Sequence, residues 1–210
     1  ATAGAAALLG ATIVFADVSE DTGNLDPEAV AAAVTERTKV IAGVDYAGHP
    51  IDAPALRQIA ESAGSLLLED AAHSIGGHLD GRPVGSLADI TTFSFFPTKN
   101  LTTAEGGAVV ARSAALMEAA RDFKMIGVVR GERMATQDEG AWWYEVTSFG
   151  LNYRLPDVLA VLGSSQLRRL AAFKQRRQAI TDRYNAAFAG IEVLRTPGHR
   201  TGADPTWHLY

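Results

Sequence analysis

Short apolar runs alternate with helix-forming segments along the first half of the chain. Helices are predicted after Asp26, where proline and glutamate follow an N-cap carboxylate, and from Asp52 to Ala63, where Gly64 ends the pattern. The opening ATAGAAALLG is predicted to be the end of a helix that Gly10 closes. Strands are predicted for five apolar runs, at 12–18, 39–45, 65–70, 90–96 and 107–112. This β-α-β-α order predicts an α/β fold with a mostly parallel central sheet flanked by helices.

The second half carries fewer strand signals. The turn-rich segment 77–85 is predicted to link two strands without a helix. A helix is predicted over 113–124 with Ser113 as its cap, and the polar, poorly patterned segment 130–140 is predicted to be a flexible loop. From 156 to 188 the apolar residues recur at helical spacing, which predicts one long helix.

Composition narrows the classes of function. The net charge of −5 and the lack of basic clusters argue against nucleic acid and against anionic membrane surfaces. No apolar stretch is long enough for a membrane span, and no signal-peptide pattern opens the sequence. The chain has no cysteine, which excludes disulfides and thiolate chemistry and fits the cytoplasm. No metal site is predicted, because neither an HExxH motif nor a cluster of histidines and carboxylates occurs.

Asp70 and Lys99 carry the strongest chemical signal. Each follows an apolar run that is typical of a buried strand, and the carboxyl ends of strands form the ligand-binding edge of an open α/β sheet. An amine can form a Schiff base with an aldehyde cofactor, and a carboxylate can keep a pyridine nitrogen protonated. The pair therefore predicts a site for pyridoxal 5′-phosphate (PLP). The structural alternatives are a helix cap at Asp70 and a solvated surface lysine at Lys99.

The residues around this pair form an ordered set of motifs. They are EDAAH, GSLADI, FSFFPTK and AEGG, followed by FGLNYRLPDVLAVLGSSQLRRL and by WHLY at the end. Over essentially the whole chain, this set resembles the DegT/DnrJ/EryC1/StrS family of PLP-dependent nucleotide-sugar aminotransferases. The resemblance implies the fold-type I architecture of PLP-dependent transferases.

The resemblance also implies roles for single residues. Lys99 would form the Schiff base and Asp70 would hold the ring nitrogen. His73 would contact the cofactor ring, Ser94 its phosphate, and Asn152 the phosphate bound by the neighbouring subunit of a dimer. A hydrogen-bonded, half-buried histidine and a small strand residue are the structural alternatives for His73 and Ser94.

Further residues are assigned more loosely. Tyr153, Arg154 and His208 are candidates for substrate contacts, and packing is the alternative for Tyr153 and Arg154. Trp142, Trp143 and Tyr144 form an aromatic patch that is typical of a buried core or an interface, with stacking on a sugar or uracil as the alternative.

Three parts follow from the resemblance. Residues 1–150 correspond to the large PLP-binding domain without its N-terminal part, 151–190 to a long connecting helix, and 191–210 to the start of a small C-terminal domain. The family's turn that grips the cofactor phosphate is not found in this sequence, so we interpret the chain as an internal piece of a longer enzyme.

The implied reaction is the transfer of an amino group from L-glutamate to a nucleotide-linked keto-sugar in cell-surface polysaccharide biosynthesis. A cytoplasmic homodimer with shared active sites is expected. DYAGHP, EDAAH, KNLTTAEGG and WWYE favour C-4 of a UDP-4-keto-6-deoxy-hexosamine on the pathway to pseudaminic acid, whereas Phe96 departs from the histidine or tyrosine often found at its position.

Alternatives to this reaction stay open. A UDP-4-keto-pentose or a dTDP-keto-hexose would use the same residues. A PLP-dependent sugar dehydratase is disfavoured by Lys99, because such members carry histidine there. A non-catalytic binding or regulatory relative is the remaining alternative.

Overall fold

The computed structural model describes residues 1–129 and 143–210. The described helices are α1 (Thr2–Leu8), α2 (Pro27–Ala33), α3 (Ala53–Ser62), α4 (Ala114–Lys124), α5 (Asp157–Leu167) and α6 (Leu170–Phe188). The strands are β1 (Val40–Val44), β2 (Leu66–Asp70), β3 (His78–Leu79), β4 (Arg82–Pro83), β5 (Ile90–Ser94), β6 (Gly107–Ala111), β7 (Val128–Val129), β8 (Glu145–Val146) and β9 (Ala203–Asp204). The predicted loop at 130–140 and Trp142 lie outside the described residues.

A four-stranded sheet with the order β1-β2-β5-β6 forms the centre of the fold. β1, β2 and β5 are parallel, whereas β6 runs antiparallel to β5. Helix α3 packs against β1 and β2, and Leu56 and Leu67 are fully buried at this contact. The mostly parallel sheet and the α/β class predicted from the alternating pattern are confirmed.

Local sequence signals explain where the helices begin and end. The side chains of Asp26 and Asp52 accept hydrogen bonds from backbone N–H groups in the first turns of α2 and α3, at 3.0 and 3.1 Å. Gly10 and Gly64 follow α1 and α3 with φ values of +79° and +61°, which an L side chain rarely adopts. Ser113 occupies the predicted N-cap position of α4, but its side chain makes no capping hydrogen bond.

The segment 77–85 forms a hairpin of β3 and β4, as its turn residues predict. Asp80 and Gly81 make the connection with φ values of 50° and 74°, the left-handed pair that a two-residue hairpin turn requires. The prediction of a helix-free link is confirmed.

The strand predicted at 12–18 is wrong. Within the described residues this segment joins no strand ladder, and a single bridge pairs Val18 with Leu25. Val14 and Phe15 are 68% and 82% exposed. The apolar pattern is that of a strand, but a strand also needs a neighbour that pairs with its N–H and C=O groups, and the described sheet provides none here.

The single long helix predicted over 156–188 is also wrong, because α5 and α6 are separate helices. At the break, the Arg169 N–H donates to the Gln166 carbonyl at 2.9 Å, a tighter turn than that of an α-helix. Leu170 then packs on Gly76, where an added Cβ would lie 3.0 Å from a Leu170 methyl group. No glycine or proline marks the break in the sequence, and we attribute it to the docking of α6 on this turn.

After α6 the chain returns to the hairpin of β3 and β4 and completes a second sheet, of order β4-β3-β9. β9 pairs antiparallel with β3, and the side chain of Lys174 on α6 bonds to Asp204 at 2.6 Å. Trp207 is 6% exposed, and its indole N–H donates to Gln178 at 2.9 Å. These contacts fix the path of residues 203–208, while the domain limits predicted at 150 and 190 stay predictions.

In the part of the chain that is described, none of the helices combines the length and the apolar character that a membrane span needs.

Candidate active site

The carboxyl ends of β2 and β5 lie side by side. Asp70 is the last residue of β2 and pairs in register with Thr92 of β5. β5 ends two residues later at Ser94, and the chain then turns, with the Lys99 N–H donating to the Phe96 carbonyl at 3.0 Å. Parallel pairing therefore delivers Asp70, Ser94 and the Lys99 turn to one edge of the sheet, the edge where α/β folds bind ligands.

The Asp70 carboxylate is half-buried and held by two donors. Its Oδ1 accepts from the Ala72 N–H at 3.2 Å, and its Oδ2 accepts from the Thr2 hydroxyl at 2.5 Å. The first bond ties the carboxylate to the turn at 72–76, and because none of the described helices begins there, Asp70 anchors a turn and does not cap a helix. Both bonds restrict the rotation of the side chain and fix the carboxylate at the sheet edge.

His73 and His208 meet beside this carboxylate. Their ring centroids are 4.3 Å apart, with 36° between the ring planes. Burial lowers the pKa of His73, and the charge of Lys99 lowers it further, whereas Asp70 acts in the opposite direction. Burial, His73, Lys99 and Arg177 together lower the pKa of His208 to about 4. Both imidazoles are therefore neutral near neutral pH, and Lys99, Asp70 and the two histidines share one electrostatic environment.

Asn100 links the same elements and was missed in the sequence analysis. It is 4% exposed, and its side-chain NH₂ donates to the His73 carbonyl at 3.0 Å and to the Thr206 carbonyl. Its side-chain oxygen lies 3.2 Å from Nδ1 of His208. The signal that points to it is a polar residue directly after Lys99, within the motif KNLTTAEGG, at a position that the fold buries.

A strained turn seats the segment that carries His208. Ala47 and Gly48 have φ values of 57° and 95°. The His208 N–H donates to the Ala47 carbonyl at 2.7 Å, and the Thr206 N–H donates to the Gly48 carbonyl at 3.0 Å. A Cβ on Gly48 would lie only 2.8 Å from the Thr206 oxygen, so glycine is required for this approach. Arg177 adds a bond to the Trp207 carbonyl at 3.1 Å.

The remaining predicted site residues are Ser94 and residues 152–154. The Ser94 hydroxyl is half-buried and accepts from the Phe96 N–H at 3.4 Å. Asn152, Tyr153 and Arg154 are exposed. In the two described ranges, no hydrogen bond or ion pair joins these three side chains to Asp70 or Lys99. The structure thus gathers Asp70, His73, Lys99 and His208, and leaves residues 152–154 on the surface.

The predicted aromatic patch is described in part. The side chain of Trp143 is half-buried, and Tyr144 is 52% exposed. Burial of the patch or stacking against a sugar or uracil stays a prediction.

Two further carboxyl groups, Asp45 and Glu69, lie at the ends of β1 and β2 and are both fully buried. Asp45 follows β1, accepts from the Ile51 N–H at 2.9 Å and bonds to the Ser74 hydroxyl. Glu69 accepts from the Thr91 hydroxyl at 2.8 Å. Burial raises the pKa of both groups, and the charge of Glu69 raises that of Asp45 further. Their hydrogen bonds tie the ends of β1 and β2 to neighbouring segments, and within the described residues no hydrogen bond or ion pair joins them to Lys99.

The raised pKa of Glu69 makes stability depend on pH. Because the folded state holds this proton more tightly than the unfolded state, folding takes up a proton above the ordinary pKa of 4.5. The free energy of unfolding should therefore fall as the pH rises from about 4.5 to the raised pKa of Glu69 in the folded state. In Glu69→Gln the fall should be shallower, with Asp45 providing the part that is left. Urea unfolding of the full-length protein at about pH 5 and about pH 8 measures both slopes. Equal slopes would contradict this account.

The donor set fits PLP. Asp70 provides a carboxylate for a pyridine nitrogen, and Lys99 provides an amine for an aldehyde. Nδ1 of His73 is buried and makes no hydrogen bond within the described residues, so it is available to a polar substituent of the ring. An α/β sheet with this set at its carboxyl edge agrees with the fold-type I architecture of PLP-dependent transferases that the resemblance implies.

Comparison with known proteins identifies the family. The sequence model of the DegT/DnrJ/EryC1/StrS aminotransferase family matches residues 1–210, and the chain belongs to this family. The resemblance found in the motifs is confirmed. Members of the family are PLP-dependent sugar aminotransferases.

Individual relatives agree with this assignment. The chain is 40% identical over 201 residues to the spore coat polysaccharide biosynthesis protein SpsC of Bacillus subtilis, covering 96% of this chain and 52% of SpsC. Spr1654 of Streptococcus pneumoniae, described as a sugar aminotransferase and solved in PMP and PLP forms, aligns in its PMP form with a TM-score of 0.88 and 31% identity, covering 99% of this chain and 57% of Spr1654.

A third relative is PseC of Helicobacter pylori, an aminotransferase involved in the biosynthesis of pseudoaminic acid. It aligns with a TM-score of 0.86 and 31% identity, over 100% of this chain and 54% of PseC. The chain thus spans about half the length of each of these relatives.

Proposed function

We propose that the whole protein is a PLP-dependent aminotransferase that moves an amino group from L-glutamate to a nucleotide-linked keto-sugar. The observation that carries this proposal is the placement of Asp70 and the Lys99 turn at one sheet edge, beside the half-buried His73, whose buried Nδ1 makes no hydrogen bond within the described residues. Family membership supports the same reaction.

Each of the predicted site residues has a separate role in the proposed reaction. When bound, PLP would supply an aldehyde that takes up the amino group and a ring that withdraws electrons. The Nζ of Lys99 would hold the cofactor and, as a free amine, carry a proton away from the α-carbon of the amino donor. Asp70 would keep the ring nitrogen protonated through a charge-assisted hydrogen bond. His73 would form a hydrogen bond to a polar substituent of the ring through Nδ1. The Ser94 hydroxyl would donate to the phosphate.

Asn152 would complete the site of a neighbouring subunit. It is exposed, yet its backbone is held in place, because it bridges to Met125 and the Tyr153 N–H donates to the Lys124 carbonyl at 3.0 Å. A fixed but outward-facing asparagine suits a homodimer with shared sites. A monomer with full activity, measured by sedimentation and assay at the same concentration, would refute this arrangement.

On the basis of family membership we also propose the domain limits: the large PLP-binding domain at 1–150, the connecting helical region at 151–190 and the start of the small domain at 191–210. We place the protein in the cytoplasm, in agreement with a chain that has no cysteine.

For the substrate we propose C-4 of a UDP-4-keto-6-deoxy-hexosamine. Support comes from the motifs DYAGHP, EDAAH, KNLTTAEGG and WWYE and from the similarity to PseC. Tyr153, Arg154 and His208 are the proposed substrate contacts, and His208 is the one that lies beside His73.

A panel of keto-sugars tests the proposal. The full-length protein is incubated with PLP, L-glutamate and a UDP-4-keto-6-deoxy-hexosamine, a UDP-4-keto-pentose or a dTDP-keto-hexose. We expect equal amounts of amino sugar and 2-oxoglutarate with the first sugar. Activity on the dTDP sugar alone would overturn the substrate but not the reaction. Ammonia without 2-oxoglutarate would indicate a dehydratase, and no turnover of any sugar would favour a non-catalytic relative.

A further inference from the structure

The side-chain amide of Asn100 can be oriented in only one way. Its two neighbours at 73 and 206 are carbonyl oxygens, which accept hydrogen bonds and cannot donate. The NH₂ group must therefore face these two carbonyls, and the amide oxygen must face His208. The partner of that oxygen is Nδ1 of His208, at 3.2 Å.

This orientation decides which ring nitrogen of His208 carries the proton. An amide oxygen only accepts, so Nδ1 must be the donor. The charged and titratable groups around His208 are His73, Lys99 and Arg177, and with burial they keep the ring neutral, at a pKa of about 4. A neutral ring has one proton. With that proton on Nδ1, Nε2 carries a free lone pair.

The backbone of His208 is fixed by hydrogen bonds, so only the rotation of its ring is left for Asn100 to restrict. The His208 N–H is bonded to Ala47, and its carbonyl lies 3.4 Å from the Arg177 guanidinium. On its face, the ring packs against His73. The hydrogen bond from Nδ1 to Asn100 then sets both the rotation and the tautomer.

We propose that Asn100 is a positioning residue, which fixes His208 in the Nδ1-protonated tautomer so that Nε2 accepts a hydrogen bond from an O–H or N–H group of a substrate. The use of the lone pair rests on the proposed function, whereas the tautomer does not. The group that donates a hydrogen bond to Nε2 is either the ammonium group of L-glutamate or a hydroxyl group of the sugar. Measuring the two half-reactions separately distinguishes these two sources.

Nitrogen-15 NMR of the histidine rings tests the tautomer without turnover. The full-length protein is labelled at its histidines, and the signal of His208 is assigned from its loss in His208→Gln. We expect a protonated Nδ1 and an unprotonated Nε2 at neutral pH. A protonated Nε2 in the unsubstituted protein would overturn the proposal, and this measurement needs no variant of Asn100.

Two variants of Asn100 should have opposite signatures. Asn100→Leu removes the acceptor, so His208 should become a mixture of tautomers. Asn100→Asp keeps an acceptor and adds a negative charge, so Nδ1 should stay protonated and the pKa of His208 should rise. This variant should also be less stable, because its second carboxylate oxygen faces two carbonyls that cannot donate. An unchanged tautomer in Asn100→Leu would overturn the proposal.

Asn24→Leu is the matched control. Asn24 is 5% exposed, and its NH₂ also donates to two carbonyls, those of His49 and Pro50, at 2.9 and 3.0 Å. Its side-chain oxygen accepts from the Tyr46 N–H at 2.8 Å, beside the turn that holds the His208 segment, so this variant disturbs the same region without removing the acceptor of Nδ1. It should lower stability in a comparable way while the His208 tautomer stays unchanged. The same tautomer change in Asn24→Leu would reduce Asn100 to a structural role.

Kinetics show which substrate uses the lone pair. In Asn100→Leu, kcat/KM should fall about tenfold, the cost of one hydrogen bond, in the half-reaction whose substrate donates to Nε2. A fall with L-glutamate identifies the amino donor, and a fall with the keto-sugar alone identifies the sugar. Unchanged kinetics in both half-reactions would overturn the proposed role of Nε2. The tautomer assignment is tested separately, by the NMR measurement.

Discussion

Lys99→Ala is expected to lower amino transfer at least about a thousandfold, because one side chain both holds the cofactor and moves the proton. The fold should survive. The Lys99 backbone N–H closes its turn on Phe96 whatever the side chain is, and the lysine side chain itself is only half-buried. The measurement is borohydride reduction of the full-length protein with PLP, followed by peptide mapping, together with the L-glutamate half-reaction.

The chain provides a matched control for this variant. Lys39 is exposed directly before β1, and Lys39→Ala should keep both the label on Lys99 and the activity. Loss of the label in Lys99→Ala with retention in Lys39→Ala would support the assignment. A specific label on Lys39, Lys124 or Lys174, or turnover by Lys99→Ala near the level of the unsubstituted protein, would contradict it.

The sequence predicts the elements that local signals define. An aspartate before a helix and a glycine after it depend on neighbouring residues alone, and for this reason the start of α2 and both ends of α3 agree with the pattern. The strand at 12–18 and the uninterrupted helix at 156–188 fail because their outcome depends on distant partners. A strand requires a second strand beside it, and the break before α6 coincides with the contact between Leu170 and Gly76, far apart in the sequence.

The same distinction applies to the site. Asp70 and Lys99 are accessible to sequence reasoning, because the carboxyl end of a parallel strand has a known place in the fold. Asn100 stands out in the sequence only as a polar residue after Lys99, and its role is not accessible there, because that role comes from carbonyls at 73 and 206 and from a ring at 208. The buried acids Asp45 and Glu69 are similar, since a strand-end carboxylate shows its burial only after the sheet is assembled.

Asp70→Asn separates the electronic role of this carboxylate from its structural role. An asparagine has nearly the same shape, can accept from the Ala72 N–H and can donate to the Thr2 oxygen, so both anchoring contacts can be kept. What the variant loses is the negative charge. A hydrogen bond to a charged group is worth about 1.5–3 kcal/mol, and its loss should lower kcat by about ten- to a hundredfold.

The expected pattern for Asp70→Asn is slow turnover with an intact cofactor linkage. Borohydride should still label Lys99, because the amine is unchanged, while the half-reaction with L-glutamate slows. Asp80→Asn is the control, since Asp80 is an exposed turn residue with a φ of 50° that asparagine tolerates, and it should leave both readouts unchanged. Loss of the label together with the activity would mean that Asp70 has a structural role in the site and not an electronic role toward the cofactor. Unchanged turnover would remove it from the chemistry altogether.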